Sequence, residues 1–374
     1  MPEDNSPESR AVPLSRVVAG VPAMTPFVGP ETIERRRGQT FVARIGANES
    51  AFGISPKARA ALTAEIDRVS WYCDPEHFDL RARLARVLGV SLENIAIGEG
   101  IDGLLGLIVR AYVDPGQAVV TSAGAYPTFN YHVTGHGGRL EFVPYAADYR
   151  NDPEALAAAA ARTGARLLYL ANPDNPTGSF LPRDAIEALV ARLPAGCLLV
   201  LDEAYAEFAP DDGLAPLDTA DPRLIRLRTF SKAHGMAGLC VGYGIAAPEV
   251  IATFEKIRLH FGVGRLSQVA AAASLDDPGF AASVVRRVAE AREEYAELAR
   301  SLGLSNLPSH TNFVAFDLES GARAGHMVAL LEERGVFVRR SAVAPLDRFV
   351  RISVGTPEER AILADALADA LDAL

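Results

Sequence analysis

The sequence predicts an α/β fold, in which a mostly parallel sheet of the seven-stranded type is covered by helices and followed by a smaller α+β domain. Short apolar, strand-like runs alternate with helix-like segments up to about residue 244, a pattern typical of parallel sheets buried on both faces. Beyond that point, long amphipathic helices and a few short strands indicate a compact α+β domain. We expect a disordered tail and N-terminal arm over 1–45, a large domain over 46–262 and a small C-terminal domain over 263–374.

Composition and charge narrow the class of protein. The 374 residues suffice for one large and one smaller domain, and 49% apolar with 22% charged residues is ordinary for a soluble globular protein. The formal net charge of −10 argues against a nucleic-acid-binding surface. The first twelve residues lack the apolar core of a signal peptide, and no transmembrane segment is evident. Three cysteines without metal-ligand or disulfide spacing indicate a reducing, cytoplasmic setting: Cys73, Cys197 and Cys240.

The elements of the large domain follow from apolar runs, caps and turns. A strand is expected at 41–45, and Ser55-Pro56 opens a helix to about Val69. A glycine-rich turn at 98–103 joins a strand at 94–97 to a helix at 104–112. The other helices are expected at 79–88, 152–163 and 182–193, and the other strands at 118–121, 140–144, 166–171, 197–201, 223–228 and 239–245.

The remaining chain is mostly helical. Helices are expected at 247–260, 266–275, 280–302 and 326–334, with strands at 311–316, 335–339 and 349–354. Thr356, Pro357 and Glu359 form a capping-box arrangement that opens the last helix.

Lys232 is the first candidate functional residue. It lies among small residues and glycines between two apolar runs, whereas an exposed lysine would not need glycines around it. A constrained, partly desolvated amine loses its proton more readily and can form a Schiff base. Taken alone, the Ser231-Lys232 pair also fits a solvated loop, so the interpretation depends on other residues upstream.

Polar residues follow several predicted strands at the point where each strand ends. Asn175, Asp202 and Lys232 occupy such positions, so we expect them along one edge of the sheet, where ligands of α/β proteins bind. The turn Gly98–Gly103 would leave backbone N–H groups free at a helix N-terminus, which is a ready phosphate site. Each feature has an ordinary alternative, such as a helix cap, a turn residue or a tight turn, but their combination is hard to attribute to coincidence.

Taken together, these positions meet the needs of one cofactor, pyridoxal 5'-phosphate. Its aldehyde forms a Schiff base with lysine, and a carboxylate keeps its pyridine nitrogen protonated, so that the ring acts as an electron sink. Its 3-oxygen needs hydrogen-bond donors, its phosphate needs N–H groups and a hydroxyl, and its ring needs an aromatic neighbour. Lys232 offers the amine, Asp202 the carboxylate, and Asn175 with Tyr205 the donors to the 3-oxygen. The phosphate ligands are the turn at Gly100, Ile101 and Asp102 together with Ser231, and the aromatic neighbour is Phe129.

Three motifs carry a family resemblance: Asn-Pro-Thr-Gly at 175–178, Asp-Glu-Ala-Tyr at 202–205 and Ser-Lys-Ala-x-Gly-x-Ala-Gly-Leu at 231–239. With them the chain resembles the fold-type I pyridoxal-phosphate aminotransferases of class I/II, and most closely the histidinol-phosphate aminotransferase group. Asn48-Glu49, Tyr72 with Asp74-Pro75, and the stretch 351–356 resemble further motifs of that group. The resemblance runs from about residue 25 to the end.

The resemblance implies roles for individual residues. Lys232 would be the Schiff-base lysine and the acid/base, Asp202 would pair with the pyridine nitrogen, and Asn175 and Tyr205 would bond the 3-oxygen. Tyr72 would reach into the site of a neighbouring subunit, which implies a homodimer with shared active sites. The expected phosphate ligands are Ser231 and the amides of Ile101 and Asp102 beside Gly100, and the expected substrate-binding residues are Asn48, Phe27, Arg339 and Arg351.

The chain departs from the family pattern at three positions. Cys240 stands where the family usually has an arginine that contacts the cofactor phosphate, a loss expected to weaken binding by about 1.5–3 kcal/mol unless Arg265 compensates. Phe27 stands where histidinol-phosphate enzymes have a tyrosine that contacts the substrate phosphate. His234 replaces the usual phenylalanine, and we interpret it as a packing variant.

The sequence thus predicts a transaminase acting between an amino donor, histidinol-phosphate-like or aromatic, and a 2-oxo acid such as 2-oxoglutarate. Two alternatives stay open at this point. A decarboxylase related to threonine-phosphate decarboxylase would use the same cofactor residues. A non-enzymatic regulator with an aminotransferase-like domain would need a DNA-binding domain, for which the sequence shows no pattern.

Overall fold

The computed structural model describes residues 12–22, 27–210 and 213–374. The predicted N-terminal tail therefore lies outside the described residues, except for Val12. No helix of the described ranges is long and apolar enough to cross a membrane. The described part of the region predicted as an arm contains two helices and a short strand: α1 Arg16–Ala19, α2 Pro30–Arg37 and β1 Ala43–Arg44.

A seven-stranded sheet forms the centre of the molecule, in the order β2-β8-β7-β6-β5-β3-β4. All its neighbouring strands run parallel except β8, which is antiparallel to both β7 and β2. The prediction of a mostly parallel sheet is confirmed. The strands are β2 Ile95–Glu99, β3 Ala118–Ser122, β4 Arg139–Val143, β5 Leu167–Ala171, β6 Leu198–Asp202, β7 Leu224–Thr229 and β8 Val241–Ala246.

Helices cover both faces of this sheet. In β5, Tyr169 belongs to the hydrophobic cluster on one face and Leu168 and Leu170 to the cluster on the other. Successive side chains of a strand point to opposite faces, so this alternation of buried residues requires cover on both sides. The helices are α3 Pro56–Glu65, α4 Phe78–Leu88, α5 Gly100–Tyr112, α6 Pro127–Gly135, α7 Pro153–Thr163, α8 Arg183–Ala191, α9 Pro248–Phe254 and α10 Arg265–Leu275.

A smaller α+β unit follows, with a four-stranded sheet in the order β12-β13-β10-β9 and a parallel pair β1-β11. The predicted capping box at Thr356 and Glu359 is present at the start of its last helix. The elements are β9 Ser305–Asn306, β10 Phe313–Asp317, β11 Val336–Phe337, β12 Arg339–Arg340, β13 Phe349–Ser353, α11 Pro278–Ser301, α12 Gly321–Glu333 and α13 Pro357–Leu371.

The domain boundaries remain predictions, but packing bears on them. Helix α10, placed in the small domain by the sequence, packs against α3 and α4 and shares a hydrophobic cluster with β2 and β8. Residues of α11, by contrast, belong to the cluster of the small unit. The structure therefore places the change between the two hydrophobic clusters nearer Pro278 than residue 263.

Helix α6 was not predicted, because its sequence reads as an aromatic, β-branched cluster. Pro127 at its first turn suits a helix start, and Phe129 and Val133 are buried on one side of it. Burial of this side against the sheet outweighs the weak helix propensity of the segment. The helix predicted at 247–260 ends at Phe254, and the strand predicted at 335–339 is two short strands.

Candidate active site

A cavity of about 350 Å³ opens at the carboxyl ends of the parallel strands. Asp202 and Thr229 end β6 and β7, and Asn175 follows β5. The structure therefore brings together residues that are far apart in the sequence, as expected for an open α/β sheet. The predicted site residues that line the cavity are Phe27, Gly100, Ile101, Asp102, Asn175, Asp202, Tyr205, Ser231 and Lys232.

Asp202 is a buried carboxylate among neutral donors. The hydroxyl of Tyr169 donates to Oδ2 at 2.7 Å, and the N–H of Ala204 donates to Oδ1 at 3.0 Å. Burial raises the pKa of Asp202 to about 6, and these hydrogen bonds limit the increase. Such a carboxyl is suited to share a proton with a basic ring nitrogen.

Lys232 projects into the same cavity, and its Nζ donates to the carbonyl of Asn48 at 3.1 Å. Burial, and then the charge of Arg351, lower its pKa to about 8. The turn after the lysine requires a glycine, because Gly235 has a φ of +73° and a Cβ there would lie 1.9 Å from the carbonyl oxygen of Gly53.

The amine of Lys232 should react with carbonyl compounds at a lower pH than an ordinary lysine. Because the pKa is lowered from 10.5 to about 8, Nζ becomes unprotonated and nucleophilic as the pH rises through about 8. We expect the rate of imine formation with pyridoxal, which lacks the phosphate, to level off above about pH 9. Stopped-flow absorbance measures it, with Lys232→Ala as the blank, and a rate still rising at about pH 10 contradicts this expectation.

Two hydrogen-bonded pairs at the cavity each leave one hydrogen-bond donor free for a ligand. Asn48 Nδ2 donates to the Tyr205 hydroxyl at 2.8 Å, so the phenolic hydrogen stays free for another acceptor. Arg351 Nη1 donates to Asn175 Oδ1 at 2.5 Å, so the amide NH₂ of Asn175 is likewise free to donate. Asn48 is itself held by Ser353, whose hydroxyl accepts from its N–H at 2.9 Å.

The N-terminus of α5 supplies the backbone part of an anion site. Helix α5 begins at Gly100, with a φ of +68°, and its first three residues line the cavity. Free N–H groups and the helix dipole favour an anion there. Thr229 and Ser231 line the same cavity, and the Thr229 hydroxyl donates to Ser231 Oγ at 2.9 Å.

The structure corrects the choice of Phe129 as the ring-stacking aromatic. Phe129 is fully buried in the core and stacks on Tyr169 with ring centroids 4.5 Å apart, and it does not line the cavity. Tyr126, three residues earlier, lines the cavity, and its hydroxyl donates to Asp102 at 3.2 Å. Both residues belong to one aromatic segment of the sequence, but Tyr126 was not predicted to line the cavity. Three further lining residues were not predicted as site residues: Glu49, Glu99 and Tyr169.

Comparison with known proteins identifies the family. The family model "Aminotransferase class I and II" matches residues 42–367. The chain belongs to the class I and II aminotransferases. It is 41% identical over 343 residues to histidinol-phosphate aminotransferase 2 of Ralstonia nicotianae, covering 88% of this chain and 89% of that protein. It is 39% identical to histidinol-phosphate aminotransferase of Roseiflexus castenholzii, covering 94% and 96%.

A solved structure agrees with these relatives. Histidinol-phosphate aminotransferase from Sinorhizobium meliloti, in complex with pyridoxal-5'-phosphate, superposes with a TM-score of 0.94 at 47% identity. The match covers 98% of this chain and 99% of that chain. The predictions of family, fold and aminotransferase class are therefore confirmed.

In this aminotransferase Arg265 does not compensate for Cys240 within its own chain. Arg265 Nη2 donates to the carbonyl of Tyr72 at 2.6 Å, and Nη1 lies 3.6 Å from Glu65 Oε2. Neither Arg265 nor Tyr72 lines the cavity, whereas the exposed Cys240 does. The prediction for Arg265 is wrong for the cavity of the same chain, because the Arg265 guanidinium contacts the Tyr72 carbonyl and Glu65 outside that cavity.

The two arginines predicted to bind substrate lie next to each other. Arg339 and Arg351 are directly opposite in the β12–β13 pair, and Phe27 lies 3.5 Å from the Arg339 guanidinium. Burial, and then the charge of Arg351, lower the pKa of Arg339 to about 10. The two neighbouring cations contact Asn175 and Phe27, which line the cavity, and such a pair favours an anionic ligand. Neither arginine lines the cavity itself. Asn48, the other residue predicted to bind substrate, is buried and contacts the Tyr205 hydroxyl.

Proposed function

We propose that this chain is a pyridoxal-5'-phosphate-dependent aminotransferase that moves an amino group between a histidinol-phosphate-like or aromatic amino donor and a 2-oxo acid such as 2-oxoglutarate. The observation that carries the proposal is the single cavity in which Lys232, Asp202 and the N-terminus of α5 meet. The class of amino donor is inferred from the names of the relatives, and the type of reaction is inferred from the residues of the cavity.

The groups around the cavity fit the cofactor. The buried carboxyl of Asp202 would pair with the pyridine nitrogen, and the free donors of Asn175 and Tyr205 would bond the 3-oxygen. The helix N-terminus and Ser231 would hold the phosphate, and Tyr126 would pack on the ring. When bound, the cofactor supplies an electron sink that stabilises negative charge at the substrate Cα.

Lys232 then performs two tasks with one amine. Its Nζ would hold the cofactor by its aldehyde, and as a free amine it would move the proton between the substrate Cα and the cofactor. A pKa of about 8 suits both steps, because a general base works best when its pKa lies near the working pH. The carbonyl of Asn48 keeps the amine oriented toward the cavity.

The anionic end of the donor is bound by Arg351 and Arg339, which contact the cavity residues Asn175 and Phe27. Phe27 lines the cavity and packs against Arg339, so it supplies apolar contact and positions the guanidinium. It has no hydroxyl for a substrate phosphate, and this favours recognition of the anion by the arginines.

Replacing Arg339 with glutamine should reduce kcat/KM for histidinol phosphate by roughly 10–100-fold, because a hydrogen bond to a charged group contributes about 1.5–3 kcal/mol. Phenylalanine as donor should be affected less, since it lacks the dianionic phosphate. Steady-state kinetics with both donors measure the difference. The neighbouring exposed Arg340→Gln is the matched control, and an equal loss for both donors would contradict a role in phosphate binding.

A donor panel tests the proposed function. The cofactor-loaded chain is offered histidinol phosphate, phenylalanine or O-phosphothreonine singly, and the pyridoxamine form, the carbonyl product of the donor and carbon dioxide are measured. Conversion of the chromophore with histidinol phosphate, and glutamate production on adding 2-oxoglutarate, are expected. Carbon dioxide without the pyridoxamine form indicates the alternative decarboxylase, and failure to form any chromophore excludes both enzymes.

The proposal includes a homodimer with shared active sites and a cytoplasmic location. Tyr72 is 79% exposed and its ring lies 4.6 Å from that of Phe261, so an aromatic surface is available to a second copy. All three cysteines are free, in keeping with a reducing compartment.

A further inference from the structure

Asp174, the residue before Asn175, is a buried carboxylate that the proposed function leaves unused. It is only 1% exposed, and its oxygens accept hydrogen bonds from neutral donors. The Thr177 N–H and hydroxyl donate at 3.1 and 2.7 Å, Asn151 Nδ2 donates at 3.0 Å and the Tyr145 hydroxyl at 3.2 Å. A buried charge is costly unless it is fully hydrogen-bonded, so this set of bonds favours one geometry of the segment.

The partners of Asp174 connect it to the sheet. Asn151 Oδ1 accepts from the hydroxyl of Ser122, the last residue of β3, at 2.5 Å, and Tyr145 follows the end of β4. The backbone closes the turn as well, because the Asp174 N–H donates to the Ser179 carbonyl at 2.8 Å. Asp174 is therefore linked through Asn151 to the end of β3.

Asn175 is held from two directions. Its main chain belongs to the turn that Asp174 closes through Thr177, and its Oδ1 accepts from Arg351. With Oδ1 occupied, only its Nδ2 can serve an acceptor in the cavity. A shift of the turn would move this donor, and misplacements of about 1 Å are costly at a reacting centre.

We infer that Asp174 is a positioning residue: through its bonds to Thr177, Asn151 and Tyr145 it holds the turn 174–178 so that Asn175 Nδ2 faces the ligand. This rests on the proposed function, in which the acceptor is the 3-oxygen of pyridoxal phosphate. A hydrogen bond from Asn175 Nδ2 to the ionised 3-oxygen makes that oxygen a weaker acceptor for the proton on the Lys232 nitrogen. This proton is then lost at a lower pH. Loss of the donor therefore raises the pKa seen in the absorption spectrum of the lysine-bound cofactor.

A double-mutant cycle on the holoenzyme tests this role. Asn175→Ala should raise the spectral pKa by about one unit, since a hydrogen bond to a charged group is lost. Asp174→Ala should raise it by a smaller amount. The double variant should show the shift of Asn175→Ala alone, because Asp174 acts through Asn175.

Two further variants separate positioning from a general structural role. Asp174→Asn should restore most of the spectral pKa, because the Asn151 amide can flip and the Tyr145 hydroxyl can rotate to rebuild the bonds. Tyr145→Phe leaves both Thr177 bonds in place and should shift the spectral pKa less than Asp174→Ala. Thermal unfolding of each variant, measured in parallel, reports stability.

The contrary outcomes are distinct. A further shift on adding Asp174→Ala to Asn175→Ala would overturn the positioning role, as would a lower melting temperature with an unchanged spectral pKa. If the unmodified chain forms no absorbing adduct with the cofactor, the proposed function fails, and the role of Asp174 fails with it.

Discussion

Replacing Lys232 with alanine should reduce kcat for amino transfer by about 10⁴-fold, at the upper end of what a positioned general base contributes. The effect is large because one amine both captures the cofactor and moves the proton. No other lysine can take over, since the two others in the chain are Lys57 and Lys256, and both are exposed. Glutamate formed from 2-oxoglutarate measures the loss.

Borohydride reduction followed by peptide mapping adds a direct readout, with the cofactor expected on the peptide that contains Lys232. Lys256→Ala is the matched control and should leave both activity and labelling intact. Added methylamine should restore part of the activity of Lys232→Ala, because a small amine can occupy the vacated space and move the proton. Labelling of Lys57 or Lys256 in the unmodified chain would refute the assignment.

Replacing Asp202 with asparagine should reduce kcat by roughly 10²–10³-fold, the usual loss when one preorganised electrostatic group is removed. The substitution preserves size and one acceptor but cannot keep the pyridine nitrogen protonated. Cofactor should still bind, since the phosphate and lysine contacts are unchanged. Single-turnover absorbance with histidinol phosphate separates slow proton removal from weak binding.

Tyr169→Phe serves as the matched control for Asp202, because it removes the 2.7 Å hydrogen bond and leaves the carboxylate. Its loss of activity should be smaller, about 10-fold, as expected for one hydrogen bond to a charged group. An Asp202→Asn variant at least as active as Tyr169→Phe would show that the carboxylate charge is not required.

The positions of the site residues could be predicted because parallel strands deliver their carboxyl ends to the same edge of a sheet. Asp202, Asn175 and Lys232 each follow such a strand, and the local sequence is enough to place them there. Helix α5 could be foreseen for a similar reason, since Gly100 marks the turn between strand and helix.

The sequence could not predict which of two neighbouring aromatic residues lines the cavity. Tyr126 and Phe129 lie in one cluster, and the helix that begins at Pro127 decides which of them is buried against the sheet. The phase of an unpredicted helix is set by tertiary packing, so the sequence pattern offered no basis for the choice. The same holds for Arg265, whose distance from the cavity depends on the packing of α10 against α3.

The fold class and the candidate residues Lys232 and Asp202 could be inferred from the amino-acid sequence alone, because the alternation of strands with helices and the ends of the strands follow from local patterns. Only the tertiary structure decided how these groups are supported. Asn48 reaches Tyr205 across 157 positions of the chain, and Arg351 reaches Asn175 across 176. Contacts over such separations depend on the packing of distant segments of the chain, and no local pattern encodes that packing.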